Sequence, residues 1–116
     1  MARINFIELP AASIGSSKPF YEAAFGWKLT DFGPSYACTM TGDVDIGLQA
    51  DVSEASAAPL PVIEVADLDA ALNSVTAAGG KIVKPVFAFP GGRRFHFVDP
   101  AGNELAVMTP DAVSVP

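Results

Sequence analysis

Two glutamates and one histidine are the residues of this chain whose types and settings suit acid–base chemistry. Glu8 and Glu64 stand at matching places in two similar apolar segments, FIEL and VIEV. Two carboxylates held close together raise the pKa of one of them, so the pair could serve as acid and base. The alternative, which we favour on sequence alone, is that both are solvated near strand ends or lie at a dimer contact.

His96 is the single histidine, in the run Arg94-Phe95-His96-Phe97-Val98. If both phenylalanines enter the core, alternation along a strand puts His96 and Arg94 on the other face. His96 could then line a cavity as a donor, an acceptor or a proton carrier. The alternative is a surface histidine or a hydrogen-bonded structural one. Arg93 and Arg94 follow a turn and could clamp an anionic ligand, or could simply be solvated.

The remaining composition excludes several classes of protein. Cys38 is the one cysteine, which excludes an internal disulfide, and we expect a buried structural thiol. The net charge of −6 argues against binding to nucleic acid. No apolar run could span a bilayer, and the N-terminus lacks a signal-like stretch, so we expect a cytoplasmic protein that does not enter membranes.

The elements that must position these residues repeat along the chain. Each half reads as a strand, a helix and three strands, with a first module at about 1–52, a linker at about 51–59 and a second module at about 60–110. The predicted strands are Ile4–Leu9, Trp27–Phe32, Ser35–Thr41 and Val44–Ala50, then Leu60–Val65, Lys81–Val83, Arg94–Val98 and Glu104–Thr109.

Capping residues bound both predicted helices. The first should run from Ser16 or Ser17 to Phe25, with Ser17 as its N-cap, Pro19 in its first turn and Gly26 as its stop. The second should begin near Asp67, with Asp67 or Asp69 as its N-cap, bury one apolar face and stop at Gly79-Gly80. We expect Phe20, Tyr21 and Phe25 to pack on the sheet. Most of a further set of aromatic residues should be core, namely Trp27, Phe32, Tyr36, Phe87 and Phe89.

Three segments give the chain a family resemblance. They are Phe20-Tyr21 with Phe25-Gly26-Trp27, Asp67-Leu68-Asp69 with Ala78-Gly79-Gly80, and Asp99-Pro100-Ala101-Gly102-Asn103. In this order and spacing the chain resembles the glyoxalase/bleomycin-resistance/dioxygenase family, also called the vicinal oxygen chelate family. The resemblance implies an α+β fold of two βαβββ modules whose curved mixed sheets enclose a cavity, with the helices outside.

Members of that family often hold a metal ion through histidine and glutamate, and the resemblance locates those four positions here. The first falls on Ile4 or Phe6 and its repeat partner on Leu60 or Val62, while the last falls on Ala106. The remaining one falls near Asp45, Gly47 or Gln49, where only Asp45 is a plausible ligand. We therefore expect no family-type metal site and no cofactor. A non-standard metal site built from Glu8, Glu64 and Asp45 is the weaker alternative.

Strand alternation also predicts the lining of the cavity. Tyr36 and Phe87 flank turns at its expected rim. The predicted ligand-binding residues are Phe6, Glu8, Tyr36, Gln49, Val62, Glu64, Phe87, Arg94, His96, Ala106 and Met108.

These features favour a metal-independent protein that binds a small molecule, as in the bleomycin-resistance branch of the family. One alternative is a lyase, isomerase or dioxygenase-type enzyme that uses a non-standard metal or carboxylate site with Glu8, Glu64 or His96. A second alternative is a structural or regulatory module without a ligand. Because family members commonly pair, we also expect a homodimer.

Overall fold

The computed structural model describes residues 2–111 and contains two copies of the predicted strand–helix–three-strand unit. This confirms the α+β class. Asn5–Leu60 form one compact unit, called here the first module, and the described residues before and after it form the second module. The elements are β1 (Arg3–Pro10), α1 (Ile14–Phe25), β2 (Thr30–Asp31), β3 (Tyr36–Cys38), β4 (Asp45–Gln49), β5 (Leu60–Glu64), α2 (Leu68–Ala77), β6 (Lys81–Phe89), β7 (Gly92–Val98) and β8 (Glu104–Pro110).

The strands of the first module are ordered β2-β3-β4-β1, with β1 parallel to β4 and the other pairs antiparallel. One face of this sheet packs on α1 through a core of Leu29, Ala37 and Leu48, against which Ile14 and Tyr21 are partly buried. β2 and β3 are shorter than predicted, because only a few of their residues find a ladder partner.

The start of α1 differs from the prediction. Ser13, not Ser17, is the N-cap: its backbone is extended and its hydroxyl accepts a hydrogen bond from the Ser16 amide at 3.1 Å. The helix therefore begins one turn earlier, and Pro19 lies inside it. The predicted end is confirmed, since Gly26 takes a left-handed φ of 68° and its amide donates to the carbonyl of Glu22.

The aromatic residues around α1 do not all pack as expected. Tyr21 lies against the core, whereas Phe20 and Phe25 are 60% and 61% exposed. Successive helical residues point about 100° apart, so Phe20 cannot share the inward direction of Tyr21. Phe25 is the last residue of the helix, and its ring stacks on the Tyr21 ring instead of packing on the sheet. Trp27 and Phe32 are also partly exposed rather than core, because they flank the short β2.

The second module orders its strands β5-β8-β7-β6, with β5 parallel to β8 and the other pairs antiparallel. Asp67 caps α2 as predicted, since its carboxylate accepts a hydrogen bond from the Ala70 amide at 3.0 Å. The helix packs through a core of Leu68, Phe95 and Val107, with Ala71, Leu72 and Val75 partly buried against it.

β6 is much longer than the predicted Lys81–Val83. It continues to Phe89, with register shifts between Ile82 and Lys84 and between Lys84 and Phe87. Pro85 lies in the second irregular stretch, and a proline is tolerated at a bulge because the ladder there needs no amide donor. Neither described helix is long and apolar enough to cross a membrane.

Candidate functional site

The second module presents one sheet face away from α2, and seven predicted site residues lie on it. Paired residues of neighbouring strands share a face. The register pairs Val62 with Ala106, and it pairs Met108 with both Glu64 and Arg94. Phe95 and Val107, at the alternate positions, enter the core against α2. This face, called here the second-module face, carries Val62, Glu64, Phe87, Arg94, His96, Ala106 and Met108.

His96 is the most constrained polar residue on this face. Its side chain is completely buried, and its Nδ1 lies 2.7 Å from Oε2 of Glu104. Within residues 2–111 no hydrogen-bond partner reaches its buried Nε2. The structure therefore agrees with the alternative of a hydrogen-bonded structural histidine. That His96 lines a cavity stays a prediction.

The electrostatics keep this imidazole neutral at physiological pH. Burial, the largest influence, lowers the pKa of His96, and the charges of Arg94 and Lys84 lower it further. The hydrogen bond that His96 makes to the Glu104 carboxylate, and the charge of that carboxylate, raise the pKa but do not reverse the direction of the shift. Since a carboxylate only accepts hydrogen bonds, we infer that Nδ1 carries the proton and donates to Glu104. Nε2 is then a lone-pair acceptor.

The contact between Glu104 and His96 was not predicted from the sequence. The turn after β7 holds Glu104 in place, because the Asp99 carboxylate accepts hydrogen bonds from the Ala101 and Asn103 amides, both at 2.9 Å. This turn pairs Val98 with Glu104, which puts Glu104 diagonally beside His96. The turn motif and strand parity together are the signal that could have predicted the contact.

Arg94 occupies an aromatic setting on the same face. Its guanidinium carbon lies 5.2 Å from the ring centres of both Phe87 and Phe89, a cation–π arrangement. The Phe87 ring also lies 5.7 Å from the imidazole of His96. Phe87 is partly exposed, so one aromatic side chain contacts both polar groups and borders solvent. Phe89 is a site residue that the sequence prediction did not include.

The first module places four further predicted residues, Phe6, Glu8, Tyr36 and Gln49. Phe6 and Glu8 pair with Asp45 and Gly47 on the face away from α1. Gly47 makes this packing possible, because a Cβ there would lie 2.5 Å from Tyr36 Oη and 2.6 Å from Phe6 Cζ. Glu8 is only 4% exposed, so the expectation that it is solvated was wrong. That Glu8 and Glu64 lie close together stays a prediction.

Asp45 has a structural role that conflicts with metal binding. Its Oδ1 accepts hydrogen bonds from the Thr39 and Thr41 hydroxyls and from the Thr41 amide, at 2.7–2.8 Å, and its Oδ2 accepts one from the Gly42 amide at 3.1 Å. Burial alone would raise the pKa of Asp45, but these hydrogen bonds together hold it below its ordinary value. The carboxylate is thus charged and already engaged.

The other residues at the family's metal positions do not fit a divalent cation either. Phe6, Val62 and Ala106 have no donor atom, and the side-chain oxygen of Gln49 accepts a hydrogen bond from the Asp51 amide at 3.0 Å. Among residues 2–111, no three His, Cys, Asp or Glu side chains are arranged to hold a metal ion.

Cys38 lies on the same face as Gly47 and is half-buried rather than fully buried. Burial raises the pKa of its thiol, and the charge of Asp45 raises it further. A thiol with a raised pKa is protonated at neutral pH and is a poor nucleophile. The expectation of a structural thiol therefore agrees with the electrostatics, although the residue is less buried than expected.

The sequence of this chain is similar to that of a known protein family. The model of the Glyoxalase/Bleomycin resistance protein/Dioxygenase superfamily matches residues 3–107. A glyoxylase-like domain-containing protein of Didymella fabae is 31% identical over 121 residues, which cover 92% of this chain and 93% of that protein.

Two longer proteins are also similar. CFP32 of Mycobacterium tuberculosis is 28% identical to this chain over 114 residues. The match covers 89% of this chain but only 44% of CFP32, so this chain spans less than half the length of that protein. The crystal structure of the Mn(II)-bound glyoxalase from Novosphingobium aromaticivorans superposes with a TM-score of 0.69 at 21% identity. That match covers 94% of this chain and 40% of the glyoxalase, and it shows a shared fold.

Proposed function

The chain belongs to the glyoxalase/bleomycin resistance protein/dioxygenase superfamily, and on that premise we propose that it binds a small organic ligand without a metal ion. The observation that carries the proposal is His96. A fully buried imidazole keeps one nitrogen without a partner in residues 2–111, and on the same face the guanidinium carbon of Arg94 lies 5.2 Å from the centres of two phenylalanine rings. A buried polar atom without a hydrogen bond costs about 1–3 kcal/mol, and a ligand can offset this cost.

The same groups indicate the chemistry of the ligand. A guanidinium recognises a carboxylate, while the Nε2 lone pair of His96 needs a hydrogen-bond donor such as a hydroxyl. Arg94 and His96 lie two residues apart on β7, about 6.6 Å along the strand. Val62 and Ala106 are buried apolar residues of this face, and Met108 is partly buried beside them. A small hydroxy carboxylate with an apolar tail meets all three requirements.

Access to Nε2 requires a movement. Phe87 lies against both His96 and Arg94 and is partly exposed, so it is the side chain of this module best placed to turn away. Exposed and partly exposed aromatic side chains change rotamer rapidly compared with ligand dissociation. A ligand ring or branched tail could then take the place of the Phe87 ring.

Calorimetric titration of the EDTA-dialysed protein with 2-hydroxy-4-methylpentanoate tests this proposal. We expect saturable binding that Arg94→Met weakens at least tenfold, because a hydrogen bond to a charged group contributes about 1.5–3 kcal/mol. The matched control is Arg93→Met, which removes the same charge from an exposed neighbour on the opposite face. The analogue 4-methylpentanoate, which lacks the hydroxyl, should bind less tightly.

Three results would contradict the proposal. Binding that appears only after a divalent metal is restored would indicate a metal-dependent protein. Equal effects of Arg94→Met and Arg93→Met would remove the second-module face from the binding site. No binding by any hydroxy carboxylate would favour a structural module without a ligand.

A proton-transfer enzyme is the second candidate, and the contact between Glu104 and His96 favours it. A carboxylate that orients an imidazole through Nδ1 leaves Nε2 ready to accept a proton. The Didymella relative is described as glyoxylase-like, which is compatible with an enzyme. Proton NMR in D2O would test it: the metal-free protein should exchange the C3 hydrogens of 4-methyl-2-oxopentanoate, and His96→Gln should not.

A further inference from the structure

A groove in the first module lies outside the site described above. It encloses about 460 Å³ and opens to solvent beside the residues that follow α1. Its lining residues are Gly26, Trp27, Lys28, Thr30, Thr39, Met40 and Thr41. We propose that this groove, called here the Trp27 groove, binds a flat aromatic carboxylate.

The indole of Trp27 forms a preoriented wall. Its ring stacks on Tyr21 with centroids 5.7 Å apart and planes within 10°, and the Phe25 ring lies 5.2 Å away. These contacts hold the indole in place, although 39% of Trp27 remains exposed. Met40, which also lines the groove, is 67% exposed. An indole face and a flexible thioether are surfaces on which an aromatic ring packs well.

Two of the three threonines that line the groove, Thr39 and Thr41, contribute mainly apolar surface. The Thr39 hydroxyl donates to Asp45 and accepts a hydrogen bond from the Ile46 amide. The Thr41 hydroxyl also donates to Asp45 and accepts from the Asp43 amide. Because both hydroxyls are committed within the protein, the groove demands few hydrogen bonds of its occupant. This favours a planar hydrocarbon ring over a sugar or a peptide.

The charge of the residues that line the groove favours a negatively charged ligand. Lys28 is the single charged residue among those that line the groove. Asp45 lies behind Thr39 and Thr41, and its oxygens accept four hydrogen bonds that compensate its charge. The chain as a whole carries −6, so it does not steer anions over a distance. At physiological salt, screening over about 8 Å leaves the nearby ammonium of Lys28 as the group that an anion meets.

The single tryptophan of the chain makes the test direct. One indole N–H gives one isolated signal in a nitrogen–proton correlation spectrum, so its shift reports on the Trp27 groove. Titration with 2-naphthoate should move this signal to saturation. Because Lys28 is exposed, we expect Lys28→Met to weaken the binding about threefold to fivefold, and 2-naphthamide, the neutral analogue, to bind similarly weakly. The matched control Lys81→Met removes an exposed lysine from the second module and should change nothing.

This test is independent of the proposed ligand of the second-module face. An excess of 2-hydroxy-4-methylpentanoate should not displace 2-naphthoate, whether or not it binds at Arg94. An indole signal that stays in place at millimolar 2-naphthoate would overturn the proposal. So would equal weakening by Lys28→Met and Lys81→Met. A signal that moves with protein concentration in the absence of naphthoate would show instead that the groove contacts a second copy of the chain.

Discussion

His96 should give this protein a pH-dependent stability that one substitution removes. Burial lowers the pKa of His96 in the folded state, whereas a histidine in an unfolded chain titrates near pH 6.5. As pH falls below about 6.5, the unfolded chain takes up a proton that the native state does not bind. The free energy of unfolding therefore decreases on acidification and is unaffected by this group above about pH 7.5.

The size of the effect has an upper limit set by linkage. The slope cannot exceed about 1.36 kcal/mol per pH unit, and it approaches this limit only below the unfolded-state pKa of about 6.5. The loss between pH 7.5 and pH 5.5 is therefore at most about 1.4 kcal/mol. In a urea titration this shifts the midpoint by roughly 1 M. Asp45 and Asp99 do not interfere in this window. Their pKa values are lowered, so the stability they contribute is present above about pH 4 and is lost only below it.

Urea unfolding of the wild type and of His96→Gln at several pH values measures this effect. The glutamine keeps an amide that can contact Glu104 but does not titrate, so its unfolding free energy should be flat between pH 7.5 and pH 5.5. The absolute stability of the variant can change without affecting this comparison. A flat wild-type profile, or the same slope in both proteins, would refute the conclusion that the buried imidazole is neutral.

Three further predictions concern packing, capping and assembly. Gly47→Ala should destabilise the protein by about 1–3 kcal/mol in urea unfolding, because its Cβ would meet Tyr36 Oη at 2.5 Å. Gly15→Ala is the matched control, because Gly15 lies in α1 and a Cβ there would meet nothing within 4 Å. This control should leave the free energy of unfolding unchanged or raise it. Equal losses of stability in the two variants would contradict the packing argument. Ser13→Ala should lower the free energy of unfolding by about 1 kcal/mol, and Ser17→Ala should lower it much less. A larger loss in Ser17→Ala than in Ser13→Ala would indicate that Ser17 is the N-cap. Light scattering should give a dimer of twice the 12.0 kDa chain mass, and a monomer at all concentrations would reject the expected homodimer.

Local signals in the sequence predicted much of the fold. Gly26 and Asp67 bound the helices as expected because the conformations that they adopt depend on a few neighbouring atoms. Ser17 was the wrong cap because Ser13, one turn earlier, offers the same hydroxyl and an extended backbone. β6 was cut short at Val83 because a proline follows, and pairing with β7 overrides that local preference through bulges.

The sequence predicted which site residues share a sheet face, but it did not predict which of their side chains are in contact. Alternation along β7 separated His96 from the core residue Phe95, since side chains of a strand alternate regardless of what lies around it. The partner of His96 depends on the register between strands, which required the geometry of the turn before Glu104. The burial of Glu8 depends on the packing of the whole first module, which strand parity does not report.

We propose that His96 and Arg94 hold a ligand without a metal ion, and one measurement tests this directly. Because the chain has one histidine, nitrogen NMR of the labelled imidazole reports its two nitrogens without assignment ambiguity. In EDTA, saturating 2-hydroxy-4-methylpentanoate should shift the Nε2 resonance toward that of a hydrogen-bonded acceptor and leave Nδ1 bonded to Glu104. An Nε2 resonance that does not move, or that moves only after a divalent metal is added, would contradict the account.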